Sequence, residues 1–229
     1  LPRTIMALLA GFGLSMAGAV YQNIFKNPLA APDLIGVANG AAAGAAFSIV
    51  CLHGGTILAA GSSFVGGITA VAAVVVLAGF VRQRTSATYV LAGIAVKAAA
   101  EAFVMAMKYF ADPDKQLSAI DYWAMGSFAN ITMDKLRVIF PVFLAGFIGI
   151  ILLRWQITLL SLGDDEARML GMRVNLVRCI VLGFSTLLVA STVCVTGIIS
   201  FIGLVAPHIA RMLLKKSDFG TCILSGLTG

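Results

Sequence analysis

Charge is scarce in this sequence: only 11% of its 229 residues are Asp, Glu, Lys or Arg. That scarcity excludes a soluble domain of this length, whose surface would demand far more polar cover. Cysteine is sparse too, and the four present (Cys51, Cys179, Cys194, Cys222) form no CxxC pair and have no histidine at zinc spacing. A structural metal site and a disulfide framework are therefore not expected, and the cysteines read as small buried apolar residues. The chain also lacks a Walker-type glycine loop, a Ser-His-Asp order and paired catalytic carboxylates. No enzyme activity, cofactor or metal follows from it, and any nucleotide hydrolysis must belong to a partner. Strand-like alternation is missing as well, which argues against a membrane barrel.

What fills the chain instead is apolar: 60% hydrophobic residues and a mean hydropathy of +1.00. Lipid is the remaining solvent for such a surface, at roughly 20 residues per helical crossing. Seven apolar segments run at about 4–24, 35–52, 56–81, 87–110, 136–154, 174–195 and 197–214, and an eighth begins near 218. The reading is an all-α, polytopic transmembrane helical bundle forming a single domain over 1–229. The net charge of +6 does not signal nucleic acid, because the basic residues lie scattered in the gaps between apolar runs. One set of gaps holds ten of them: Lys26, Arg82, Arg84, Arg154, Arg168, Arg173, Arg178, Arg211, Lys215 and Lys216. The alternate set holds five: Arg3, Lys108, Lys115, Lys135 and Arg137. The richer set is assigned to the cytoplasm, which puts residue 1 outside and 161–173 inside.

The most charged stretch is Leu162-Gly163-Asp164-Asp165-Glu166-Ala167-Arg168-Met169-Leu170-Gly171. Ser161 or Asp164 can cap a helix there, acidic residues suit its first turn, and Gly171 can end it. A two-turn helix is too short to stand alone, so it must dock, with Ala167, Met169 and Leu170 available to fill a groove. Gly36, Gly40 and Gly44 fall four apart and predict a close helix contact. Gly18 precedes Pro28 by ten residues, as Gly197 precedes Pro207, a spacing compatible with a repeat. Lys97 and Glu101 lie one turn apart inside an apolar segment, where a lone charge is costly. They are expected to pair, either as a structural pair or along a path. Arg3 reads as an interfacial anchor, Tyr122 and Trp123 as an interfacial belt or a short gating helix, His208 as a hydrogen-bonded structural residue and His53 as an outer-loop residue.

Four stretches taken together resemble the iron-chelate and cobalamin permeases of ATP-binding-cassette importers: Leu1-Pro2-Arg3-Thr4; Asn27-Pro28-Leu29-Ala30 with Pro32 and Gly36; Leu162 to Gly171; and Gly203-Leu204-Val205-Ala206-Pro207-His208-Ile209-Ala210-Arg211. Glu166-Ala167 followed by Gly171 is similar to the loop by which such permeases engage their ATPase, with Arg168 in place of a second alanine. The resemblance implies a ten-helix subunit in a bacterial cytoplasmic membrane that imports an iron chelate, haem or cobalamin. This chain would supply the second to eighth helices and the start of the ninth. It implies three partners: a second permease subunit, a cytoplasmic ATPase dimer and an extracytoplasmic binding protein. It further implies that Leu162, Gly163, Asp164, Asp165, Glu166, Ala167, Arg168, Leu170 and Gly171 couple to the ATPase. Arg3 would then dock the binding protein, and Lys97 and Glu101 would line the path. The competing reading is an ion-coupled carrier or channel with Lys97–Glu101 as its charge relay.

Overall fold

The computed structural model describes residues 1–81, 85–215 and 218–229, and all regular structure among them is helical. Arg82, Arg84 and Lys216 of the basic set lie outside the described residues. The helices are α1 (Pro2–Phe25), α2 (Val37–Cys51), α3 (Thr56–Phe80), α4 (Ser86–Phe110), α5 (Gln116–Met125), α6 (Met133–Leu152), α7 (Arg154–Leu162), α8 (Asp164–Met169), α9 (Val174–Thr196), α10 (Ile202–Leu214) and α11 (Phe219–Thr228). Five of them (α1, α3, α4, α6 and α9) are long and apolar enough to cross a membrane.

The other apolar helices are short. α2 has 15 residues and α10 has 13, about 22 and 20 Å at the helical rise, against a hydrocarbon core of about 30 Å. Each starts late because the chain before it is irregular. Residues 27–36 include a 3₁₀ turn at Pro32–Leu34, and the Leu34 carbonyl lies so close to Gly93 that a Cβ there would come within 2.5 Å of it. Gly93 is seven residues into α4, so this irregular chain sits at membrane depth. It is tolerated there because Ala30, Ala31, Pro32 and Ile35 are buried in protein. The segment expected at 197–214 is likewise helical only from Ile202, since Gly197 ends α9 with φ +74.

The centre of the bundle is α1 and α9, each 67% buried over its apolar window. α9 carries five buried hydroxyls, and all but that of Ser185 are paired within the helix. Thr186, Ser191, Thr192 and Thr196 each donate to a carbonyl three or four residues back, at 2.7 to 3.0 Å. The tightest helix pair is α2 against α3, where a Cβ on Gly40 would lie 2.6 Å from the Gly66 carbonyl and one on Gly44 would lie 2.1 Å from that of Ser62. The glycine stripe thus does the packing expected of it, except that Gly36 stands outside the helix as its left-handed N-cap, φ +84.

Other expectations need correction. The segment at 136–154 does not simply end in a loop. The chain turns at Leu153 and continues as α7, whose Ile157 and Leu160 are fully buried. The gap holding Tyr122 and Trp123 forms the ten-residue α5, in keeping with the short helix that was one of the two readings of these residues. Cys51 is exposed, while Cys194 and Cys222 are buried as expected. His208 is exposed on α10. The Gly–Pro echo joins unlike places, because Gly18 lies inside the unbroken α1 and Gly197 terminates α9.

Candidate functional site

The charged loop folds into a fixed helix at the basic end of the bundle. α8 is six residues long, bracketed by Gly163 with φ +146 and Gly171 with φ +80. The Gly171 N–H donates to the Arg168 carbonyl at 2.9 Å and the Met172 N–H to the Ala167 carbonyl at 3.0 Å. Those two bonds close the C-terminus as a Schellman motif, for which a left-handed glycine is the natural residue. The N-terminus departs from expectation. Ser161 donates to the Thr158 carbonyl, and Asp164 turns away from the helix end, so neither caps it. Leu162 closes α7, and its carbonyl accepts from the Lys26 ammonium.

The loop residues divide by direction. Ala167 is fully buried in this chain. Asp165 and Arg168 pair with each other at 3.3 Å on the exposed side, and Glu166 is exposed. Met169 and Leu170 do not fill a groove of their own chain; they are 87% and 62% exposed. Leu162 and Trp155 beside them are exposed as well. The result is a short helix held from behind, with apolar side chains pointing outward.

What holds it is Arg178, a member of the basic set that marks the cytoplasmic gaps. It lies one turn inside α9 and is fully buried. Its Nη2 donates to the Asp164 carboxylate at 2.5 Å, to the Ser86 hydroxyl at 3.2 Å and to the Ile24 carbonyl at 3.5 Å. The guanidinium also stands over the Tyr89 ring, 5.5 Å from its centre, a favourable place for a desolvated cation. One side chain therefore touches α8, α4 and α1 at once. The available signal was its position, an arginine within the apolar run rather than before it, with a carboxylate on the preceding loop.

Lys97 and Glu101 meet at 3.8 Å on α4, and Asn39 of α2 donates to the same Glu101 oxygen at 2.9 Å. Neither charge is enclosed by this chain, their side chains being 35% and 55% exposed. Beside them α2, α3 and α4 border an apolar cavity of about 1240 Å³, lined by Gly40, Gly44, Phe47, Val65, Val96 and Phe103 among others. Arg3 is exposed in the first turn of α1, at the end of the bundle opposite α8. Among the described residues no group of His, Cys, Asp and Glu is arranged to hold a metal ion.

Known proteins are similar to this chain in sequence and in overall fold. The chain is 36% identical to the molybdate import permease of Haemophilus influenzae over 220 residues, covering 93% of this chain and 63% of that one. It is 38% identical to an iron chelatin transport permease of Helicobacter pylori and 36% identical to the hemin transport permease of Yersinia pestis, with 93% of this chain and 64% of each relative covered. It thus spans somewhat less than two thirds of the length of these relatives. A solved inward-facing transporter of the metal-chelate ABC type superimposes with a TM-score of 0.90 at 33% identity, covering all of this chain and 73% of the other. The profile of the FecCD transport family matches residues 1–229, and the chain belongs to that family.

Proposed function

We propose that this chain is membrane-spanning permease sequence of an ATP-driven importer, and that α8 is its contact with a separate cytoplasmic ATPase. The observation that carries the reading is the build of α8: closed by its own backbone, fixed by Ala167 and Asp164, and presenting Met169 and Leu170 to the outside. An ion-coupled carrier has no use for such a helix. The basic end is then the cytoplasmic end by the positive-inside rule. Residues 1–229 act as one transmembrane domain, completed by further helices of the ten-helix subunit. The barely packed α4 faces a second permease subunit, placing Lys97 and Glu101 along the path, while Arg3 meets the binding protein on the outer side. The substrate is a metal chelate such as a siderophore complex, haem or cobalamin. The molybdate permease among the relatives widens that class to oxyanions.

The test replaces the outward residues and spares the buried one. Met169→Asp with Leu170→Asp is expected to leave membrane insertion intact and to abolish co-purification of the ATPase. Normal assembly and substrate-stimulated hydrolysis in that variant would move the assignment to an ion-coupled carrier. Ala167 is unsuitable for this purpose, because a larger residue there would disturb the fold itself. At the other end, Arg3→Glu should weaken binding-protein docking most at low ionic strength. A titration of complex formation against salt reads this, and unchanged affinity at low salt would leave Arg3 as an interfacial anchor.

A further inference from the structure

We propose that Arg178 is a positioning residue that makes α8 move together with α4 and α1, an inference that rests on reading α8 as the ATPase contact. Among the described residues, α8 is attached to the bundle by the buried Ala167 and the Asp164–Arg178 pair. Its remaining polar pair, Asp165–Arg168, lies within the helix and ties it to nothing. A displacement of α8 must therefore either open the Asp164–Arg178 pair or carry Arg178 along. Opening it leaves a fully buried guanidinium without its carboxylate, which is the costly outcome. Carrying it drags on the Ser86 hydroxyl, the Tyr89 ring and the Ile24 carbonyl, all of which the same guanidinium touches.

α4 is the helix best placed to respond. Only Tyr89 and Gly93 of its 25 residues are buried, and Tyr89, which also meets Phe25 and Cys179, is the large side chain that seats its basic end. Two of its fixings, Ser86 and Tyr89, are Arg178 contacts. One and two turns beyond Gly93 the same helix carries Lys97 and Glu101. The joint requires an arginine rather than any cation. All three hydrogen bonds leave from the one Nη2, so what the guanidinium adds over an ammonium is its planar face over the Tyr89 ring while that nitrogen holds its acceptors.

The experiment uses the full-length chain reconstituted in liposomes with its ATPase and binding protein. Arg178→Lys keeps the buried charge, and Ser86→Ala removes only the α4 hydroxyl. Three quantities are read: ATPase co-purification, hydrolysis, and substrate transported per ATP hydrolysed. Both variants should retain the ATPase and hydrolyse at close to the normal basal rate. Transport per ATP should fall by about ten-fold or more in Arg178→Lys and less in Ser86→Ala, and the double variant should be no worse than Arg178→Lys alone. Normal transport per ATP in either variant, with the complex intact, overturns the proposal. So does a lowered melting temperature of Arg178→Lys with an unchanged ratio in the surviving complexes, since that is the mark of a structural residue. Should Arg178→Lys not reach the membrane, Ser86→Ala decides alone. Failure of the α8 reading shows separately, as ATPase assembly that survives Met169→Asp with Leu170→Asp.

Discussion

α9 and α4 are nearly the same helix on paper and opposites in the fold. They have 23 and 25 residues, with window hydropathies of 2.1 and 1.8, yet 67% of the α9 window is buried and only 6% of the α4 window. In water such a difference would show in composition, because an exposed helix must be polar on one side. In a bilayer it does not, since lipid tails accept leucine as readily as a neighbouring helix does. The contrast shows instead in where polar atoms go. α9 folds four of its five buried hydroxyls back onto its own carbonyls and sits in the core, whereas α4 keeps Lys97 and Glu101 part-exposed and takes a hydrogen bond from Asn39 of α2.

The largest effect should come from cutting the same side chain in both helices. Leu188→Ala, at a fully buried α9 position, should cost about 2–5 kcal/mol. Leu91→Ala, 67% exposed on α4, should stay within about 0.5 kcal/mol. Thermal denaturation of the detergent-solubilised subunit compares them, and equal losses would mean that a partner covers α4 as tightly as the core covers α9. A middle-sized effect is expected for Lys97 and Glu101. If the proposed path is water-filled, the pair is hydrated and a double-mutant cycle with alanine should give a coupling below about 1 kcal/mol, not the stranded buried cation that a mid-membrane pair first suggests. A coupling near 3 kcal/mol would place them in a dry interface. The smallest belongs to Thr192→Val, because the hydroxyl is satisfied within its own helix at 2.8 Å and valine keeps the shape. Its loss should be roughly 0.5 kcal/mol, and several times that would point to a bond reaching another helix.

Much of the fold could be read from residues. Hydropathy located α1, α3, α4, α6 and α9, and the acidic run with its closing glycine located α8. Irregular chain at membrane depth could not be read, because Pro28, Pro32 and Gly36 only say where helix stops, not whether the chain then leaves the bilayer. α7 was missed since Arg154 breaks the hydropathy, although Ile157 and Leu160 at helical spacing were there to be seen. The burial of Arg178 could not be read because a positive charge near the end of a span normally serves topology, and only three-dimensional packing reveals one that is fully buried. The direction of Met169 and Leu170, which decides whether α8 closes on its own chain or greets another, also required the fold.

The glycine contact between α2 and α3 bears on how the chain enters a membrane during synthesis. α2, with 15 residues, is too short to settle across a bilayer alone, at least without thinning it or leaving polar chain in hydrocarbon. α3 follows after only four uncharged residues, Leu52 to Gly55, and has the highest hydropathy among the long helices, 2.2. The two backbones touch through Gly40, Gly44 and Gly66, a contact that needs no other helix. α2 is therefore suited to partition as the weak arm of a hairpin whose strong arm is α3. Stable insertion of α2 would then depend on the arrival of α3, and bulky side chains on that glycine seam would act on insertion as well as on the packing of the finished fold.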